Sequence, residues 1–383
     1  MLGTPALKST YDVIVVGAGI VGCACAEQCA RAGLSVLVLD RGLIGGETTA
    51  AGMGHLLVLD DCPAQMALTV YGRRLWLERR AELPAEVEFD PCGTLWVAAD
   101  EEEMQAVTRK VASYRRFGVQ AEALDAMTLY EEEPHLRLGL AGALWIPDDA
   151  VLYPPNAARF LLQQAQRAGA QVRLGQAVTR IRDNGVVTMT QGEVYQAQYV
   201  INAAGCNAPI LTPDIPVQPR KGHLVVTERY PGWVRHQLVE LDYLKSTHSM
   251  TEDSVAFNIQ PRKTGQLLIG SSRQFGDGSR AVDSQIVSRM LERVHQYMPG
   301  LNRLLALRTW VGFRPTTPDK RPLIGPSNSS DRIWLATGHE GLGITTALAT
   351  GHLVAAGLTG QSPALPLGPY LPSRIQDVEA QHA

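Results

Sequence analysis

Tyr11-Asp12-Val13-Ile14-Val15-Val16-Gly17-Ala18-Gly19-Ile20-Val21-Gly22 reads as a buried strand running into a glycine-rich turn and then a helix. Each glycine has a mechanical use. Gly17 permits the tight turn, Gly19 lets backbone approach a pyrophosphate, and Gly22 lets the helix pack closely on the strand. The helix N-terminus at Ile20 presents unpaired N–H groups to an anion. The following strand, 35–39, ends on Asp40, eighteen residues beyond Gly22. A carboxylate there is placed to accept ribose hydroxyls and would repel a 2′-phosphate. A glycine triplet alone says little. With the strand before it, the helix after it and the acid closing the second strand, it marks a dinucleotide site.

Composition narrows the setting. At 383 residues the chain is long enough for two domains. Hydrophobic residues at 45% and charged residues at 19% describe a globular protein, and a net charge of −3 with no basic block argues against nucleic acid as a partner. No apolar run reaches membrane-spanning length, and residues 1–10 lack the apolar core of a signal peptide. Cys23, Cys25 and Cys29 lie on the first helix among alanines, while Cys62, Cys92 and Cys206 are scattered. That spacing fits neither a zinc site nor a disulfide framework, so reduced thiols and a cytoplasmic location are expected.

No repeat or low-complexity linker interrupts the chain. Residues 42–55, with Thr48-Thr49-Ala50-Ala51-Gly52-Met53, are small enough for backbone to lie against something flat. Patterning predicts helices over 64–80, 100–117, 154–168 and 283–297. It predicts strands over 94–98, 171–174, 177–182, 186–190, 199–202, 223–227, 254–258 and 266–269. Ala203-Ala204-Gly205 ends one strand in a further glycine turn. The middle block reads as an antiparallel sheet with helices. Near the end, a strand over 333–337 leads into Gly338-His339-Glu340-Gly341-Leu342-Gly343 and a helix from Ile344 to about Leu358. A nicotinamide enzyme needs one such turn. A flavoprotein gains from a second, because a helix N-terminus beside the flavin ring stabilises the negative charge of reduction. Two distant turns favour FAD.

Together these motifs resemble the D-amino-acid-oxidase-like flavoproteins, with glycine oxidase, the sarcosine oxidase β subunit and the flavin subunits of hydrogen cyanide synthase and D-hydroxyproline dehydrogenase as look-alikes. The likeness extends through Pro219-Arg220-Lys221-Gly222-His223, Trp310-Val311-Gly312-Phe313-Arg314-Pro315 and Pro322-Leu323-Ile324-Gly325, and covers nearly the whole chain. It implies an α/β fold: a doubly wound, Rossmann-like FAD-binding domain over 1–82, 146–216 and 314–383, with an antiparallel α+β substrate domain over 83–145 and 217–313. It implies FAD contacts at Gly17, Gly19, Ile20, Gly22, Asp40, Arg41, Thr48, Thr49, Ala51, Gly52 and Met53. Further along, the same contacts would involve Val178, whose backbone would meet the adenine, then Ala204, Gly205, Gly312, Gly338, Gly341, Leu342, Gly343 and Ile344.

Arg314 matches the position of the substrate-carboxylate arginine, where a guanidinium fork takes a carboxylate bidentately and turns the α-carbon toward flavin N5. An ordinary structural ion pair is the other role open to it. His339 and Glu340, in the turn expected at the flavin, are candidates for proton handling or amine recognition, and His339 could equally brace the turn. His55, His223, Glu252 and Asp253 carry weaker signals: His223 reads as packed, Glu252 and Asp253 as solvated. Three positions depart from the relatives. Gly341 replaces glycine oxidase's second arginine, Leu268 stands where monomeric sarcosine oxidase has its oxygen-activating lysine, and Val311 replaces the cysteine of the covalent flavin link. Non-covalent FAD follows from the last, and Lys221 and His339 remain as substitute cations. The resemblance implies oxidation of an amino or imino acid at the C–N bond, with a D-amino acid, D-hydroxyproline or an opine as substrate. It also implies electron delivery to a second flavoprotein and an iron–sulfur subunit. Rival readings are an oxygen-using glycine or sarcosine oxidase and a non-catalytic FAD-binding subunit.

Overall fold

The computed structural model describes residues 7–59, 61–241 and 253–375. Glu252 lies outside them. Strands are sorted into two large sheets, each of eight strands, and a small two-stranded one.

The first large sheet grows from the opening motif. Leu7–Val16 pairs in parallel with Val36–Asp40 on one side and Val194–Asn202 on the other. Gln171–Leu174 and Ile333–Thr337 extend it in parallel, and Leu323–Pro326 closes one edge antiparallel. Parallel strands covered on both faces read as continuous apolar runs, as 13–16 and 36–39 do. Their pleat divides them. Val13, Val15, Val36 and Val38 join the helix-side cluster, while Ile14, Val16, Leu37 and Leu39 join the opposite cluster under the hairpin of Val178–Ile181 and Val186–Met189. The first helix, Ile20–Arg31, crosses the last, Gly343–Leu358, at Gly351, where a β-carbon would lie 2.6 Å from the Ala24 carbonyl oxygen.

The second sheet runs in the order Ala306–Thr316, Gln218–Arg229, Gln266–Arg273, Ser254–Pro261, Gln237–Glu240, Thr94–Ala98, Gly142–Ile146 and Glu122–Asp125. All its pairings are antiparallel except that of Gln237–Glu240 with Thr94–Ala98. One face is buried by the helix Ser284–Tyr297, which begins at Asp283, whose carboxylate accepts from the Gln285 and Ile286 amides. The other face looks toward the first sheet's loops.

Several strands exceed their sequence expectation. The stretch predicted as 223–227 is the centre of Gln218–Arg229, and the one predicted as 266–269 reaches Arg273. Ala306–Thr316, Gln237–Glu240, Gly142–Ile146, Glu122–Asp125 and Leu323–Pro326 carried no strand prediction. Buried charge explains why the two under-read strands extend past their expected ends. Arg220, Lys221 and Arg273 are nearly fully buried inside strands, so alternation of apolar and polar residues fails as a guide there.

Candidate active site

The two glycine-rich turns meet. A β-carbon at Gly343 would lie 3.8 Å from Val21 Cγ2, so the first turns of the first and last helices stand side by side. At the first turn Gly17 has φ +114°, and a β-carbon there would come within 2.5 Å of the Ala203 carbonyl oxygen. A β-carbon at Gly22 would overlap the Gly17 carbonyl. Ala204 and Gly205, with Gly205 at φ +56°, follow directly from that contact.

Asp40 braces the same turn: its carboxylate accepts from the Ala18 amide at 2.6 Å and the Gly42 amide at 2.7 Å. Arg41 pairs with Glu47 at 3.1 Å. Thr49 Oγ1 accepts from the Ile20 amide at 3.1 Å, and it lies 3.3 Å from where a β-carbon at Gly19 would sit. An oxygen acceptor thus already stands at the helix N-terminus, as a phosphate oxygen would. Val178, half-buried, opens the strand Val178–Ile181 two residues after Gln176, whose amide donates to the Asp40 carbonyl.

The short helix Glu47–Ala51 connects this turn to the second sheet. Thr48 donates to the Phe313 carbonyl at 2.7 Å, and a β-carbon at Gly312 would collide with that of Ala51. A β-carbon at Gly52 would lie 3.0 Å from Ile344 Cδ1. Met53 is buried, its carbonyl accepts from Gln260 at 2.7 Å, and it packs with Leu224 and Leu268. At the last turn Gly338 has φ +75°, and Leu342 caps the helix with no side-chain hydrogen bond. The residues fit FAD: two helix N-termini whose N-cap residues supply no side-chain cap, glycines that other side chains would fill, and a carboxylate at the second strand's end.

Arg314 lies on Ala306–Thr316. Its guanidinium crosses directly over Gly222 on the neighbouring strand, where any β-carbon would strike it, and Nη1 donates to the Ser272 carbonyl at 3.0 Å. Its Nε approaches Gly341, 3.8 Å from a β-carbon there. Backbone ties fix this relation: the Glu340 amide donates to the Pro315 carbonyl at 2.9 Å, and Thr316 bridges to His339.

Glu340 adopts φ +51° and points among cations, 3.4 Å from Arg220 Nη1 and 4.0 Å from Arg273 Nε. Burial works to raise its pKa, but Arg273, Arg314 and Arg220 outweigh it and hold the carboxyl below the usual carboxylate range. It is an anion.

His339 corrects the expectation of a proton-handling or cationic histidine. Its ring turns from the cavity to Thr350 Oγ1 on the last helix, at 2.9 Å, and burial depresses its pKa to about 3. A neutral ring bonded to the helix braces the turn. Lys221 is the second correction. The pleat of Gln218–Arg229 places Gly222 and Leu224 toward Arg314 and Met53, so Lys221 and His223 face the other way. Lys221 Nζ donates to Asp277 at 2.6 Å, and the Asp283 amide donates to His223 Nε2 at 3.0 Å, which leaves the proton of the neutral ring on Nδ1, toward Ser272 Oγ. Asp253 is exposed and accepts from Gln274.

Between the second sheet and the last turn lies a cavity of about 70 Å³. His55, Gln65 and Asn258 line it, as do Arg220, Arg273, Lys320 and Glu340. Burial lowers the His55 pKa to about 4, so its ring is neutral. Of these, the sequence singles out Glu340 and, more weakly, His55. Arg220 was within reach, since a period of two from Gly222 puts it on the face toward Arg314. Arg273, Gln65 and Asn258 offered no comparable signal. The six cysteines are free, and among the described residues no helix is long and apolar enough to cross a membrane.

Two glycine turns joined at their helix N-termini beneath a sheet-walled polar cavity define a dinucleotide-cofactor enzyme. The chain belongs to the FAD dependent oxidoreductase family (DAO), whose profile matches residues 12–356. It is 28% identical to glycine oxidase of Geobacillus kaustophilus over 94% of this chain and 96% of that one. The crystal structure of glycine oxidase from that organism superposes with a TM-score of 0.85 over 95% and 99% of the two chains, at 26% identity. Hydrogen cyanide synthase subunit HcnC of Pseudomonas aeruginosa is 26% identical over 97% of both chains. Iminodiacetate oxidase from Chelativorans sp. BNC1 superposes with a TM-score of 0.80 over 94% and 98%, at 25% identity. The protein is an FAD-dependent oxidoreductase.

Proposed function

We propose that the protein oxidises the C–N bond of an amino or imino acid, with Arg314 as the clamp for the substrate carboxylate. The observation that carries this reading is the position of Arg314: a half-buried guanidinium laid over Gly222, beside the last glycine turn, with a single backbone carbonyl as its hydrogen-bond partner among the described residues. FAD, when bound, supplies the hydride acceptor for that oxidation. The first turn, Asp40, the 47–53 segment, Val178, Ala204–Gly205 and the last turn would hold it, without a covalent link because Val311 offers no thiol. Arg314 orients the acid, Glu340 receives the amine's N–H, and Met53, Leu224 and Leu268 form a dry wall on the same sheet face. The sorting of strands into two sheets supports the division into an FAD-binding domain (1–82, 146–216, 314–383) and a substrate domain (83–145, 217–313).

Within this class the favoured substrates are a D-amino acid, a D-hydroxyproline-like ring or an opine. The likeness to a hydrogen cyanide synthase subunit supports work inside a multi-subunit complex, and we propose a second flavoprotein and an iron–sulfur subunit as its other members. Leu268 supports a dehydrogenase that reacts slowly with oxygen, and the six free thiols support a cytoplasmic setting. Screening amino and imino acids for anaerobic bleaching of the flavin tests the reading. Bleaching by one or more acids, abolished in Arg314→Ala, is expected; a flavin that none of them reduces would leave a non-catalytic FAD-binding subunit as the better account.

A further inference from the structure

The cavity carries charge of its own, apart from the clamp at Arg314. Beyond Gly341 the walls bring three more cationic side chains to one space: Arg220 from Gln218–Arg229, Arg273 from Gln266–Arg273, and Lys320 from the turn after Arg314's strand. Arg220 and Arg273 are almost fully buried, and Lys320 is half-buried in a left-handed backbone at φ +59°. Glu340 and Asp61 are the carboxylates lining the same cavity among the described residues. Each cation also has partners within the protein, as in the Arg220–Glu340 pair and the stacking of Arg220 over Phe275 at 4.6 Å. Guanidinium groups carry five donors, so such pairing leaves capacity for a ligand.

A second observation points into the same space. Gln65 and Asn258 are buried, line the cavity, and each has an amide oxygen with no hydrogen-bond partner among the described residues, as has Nε2 of His55. Buried polar atoms are normally satisfied, so a cluster of them around a cavity implies a polar occupant. Burial lowers the Lys320 pKa, and Arg220 and Arg273 add to the effect while Asp61 and Glu340 oppose it. Clustered like charges are stabilised by an incoming anion.

Resting on the function proposed above, we infer that the substrate carries a second anionic group, received by Arg220, Arg273 and Lys320 while Arg314 holds the carboxylate next to the reacting carbon. The substrate class is then an amino or imino diacid. Arg220 and Lys320 set the preference for diacid over monoacid, and the Gln65 and Asn258 amides bind the polar atoms between the two ends.

Matched pairs test this on the holoenzyme: N-methylglycine against N-carboxymethylglycine, and D-alanine against D-aspartate. Rates of anaerobic flavin reduction give kcat/KM, and absorbance titration of the oxidised flavin with succinate and with acetate gives binding. A diacid is expected to exceed its monoacid partner at least tenfold in one pair. Lys320→Met is expected to lower that ratio about ten- to hundredfold, the worth of one charge-assisted contact. It is also expected to weaken succinate more than acetate. Arg220→Lys, which keeps the charge opposite Glu340, is expected to lower the ratio by a smaller factor. Equal handling of monoacid and diacid, or a Lys320→Met ratio equal to wild type, overturns the inference and leaves the proposed function standing. Failure of every amino and imino acid to reduce the flavin overturns the function, and the inference with it.

Discussion

The N-terminal turn closes by backbone against backbone, Gly22 on the Gly17 carbonyl and Gly17 on the Ala203 carbonyl, with Asp40 and Thr49 accepting from its amides. The C-terminal turn is held by side chains from far along the chain. There His339 reaches Thr350, and Glu340 sits among Arg220, Arg273 and Arg314. One turn is chiefly a steric device, braced by the single carboxylate of Asp40. Its counterpart is an electrostatic device that also faces the cavity. The steric device tolerates no added carbon, whereas the electrostatic one is sensitive to which charge stands where and at what pH.

The largest effect expected from breaking this contrast is at Gly22. In Gly22→Val the new side chain meets a carbonyl that cannot move without the whole turn, so stability should fall by about 3 kcal/mol and FAD should be lost. Urea unfolding and flavin content after gel filtration measure both. Wild-type values would mean that the turn is not closed as described.

Arg314→Lys comes next. FAD should be retained, while kcat/KM for the best acid should fall about ten- to hundredfold, because lysine keeps the charge but loses the planar fork. Unchanged kcat/KM would remove Arg314 as the clamp.

A smaller effect separates the two side chains of the last turn by pH. His339 titrates at about 3 in the fold against an ordinary 6.5, so the unfolded chain takes up the proton first. Its contribution is complete above 6.5 and is lost as pH falls toward 3, at about 1.4 kcal/mol per pH unit for this one group. Glu340, also depressed, contributes above its ordinary 4.5 and is lost only below that. Urea midpoints measured between pH 7 and pH 5 should therefore decline less steeply in His339→Gln than in wild type. Glu340→Gln should leave that slope alone. Equal slopes in wild type and His339→Gln would mean the ring is not held neutral.

The smallest effect should come from Lys221→Met. Lys221 faces Asp277 on the far side of the sheet, so stopped-flow reoxidation of the reduced enzyme in air-saturated buffer should match wild type. A marked slowing would place this lysine's field at the flavin after all.

These comparisons also mark what could be read in advance. The opening strand, the turn at Gly17, Gly19 and Gly22, and Asp40 were legible because they leave glycines and an acid at fixed spacing along the sequence. The final strand and helix were legible for the same reason. Arg314 was found by resemblance. Arg220 was quoted within a motif but not assigned, since a buried arginine in a strand violates the alternation that identifies strands. Arg273 and Lys320 carried no pattern at all. His339 was read as two-sided because its neighbours in sequence do not say which way the ring turns.

The sequence by itself determined the nucleotide-binding half, down to its turn glycines and closing acid, because local sterics and pleat periodicity are written in consecutive residues. Only the tertiary structure decided that His339 is a neutral brace, that Lys221 faces away from the site, and that Arg220, Arg273, Arg314 and Lys320 converge around Glu340. The physical reason is distance along the chain. Burial and charge set the state of these groups, and both come from strands and turns that are remote in sequence and meet only when the two sheets pack.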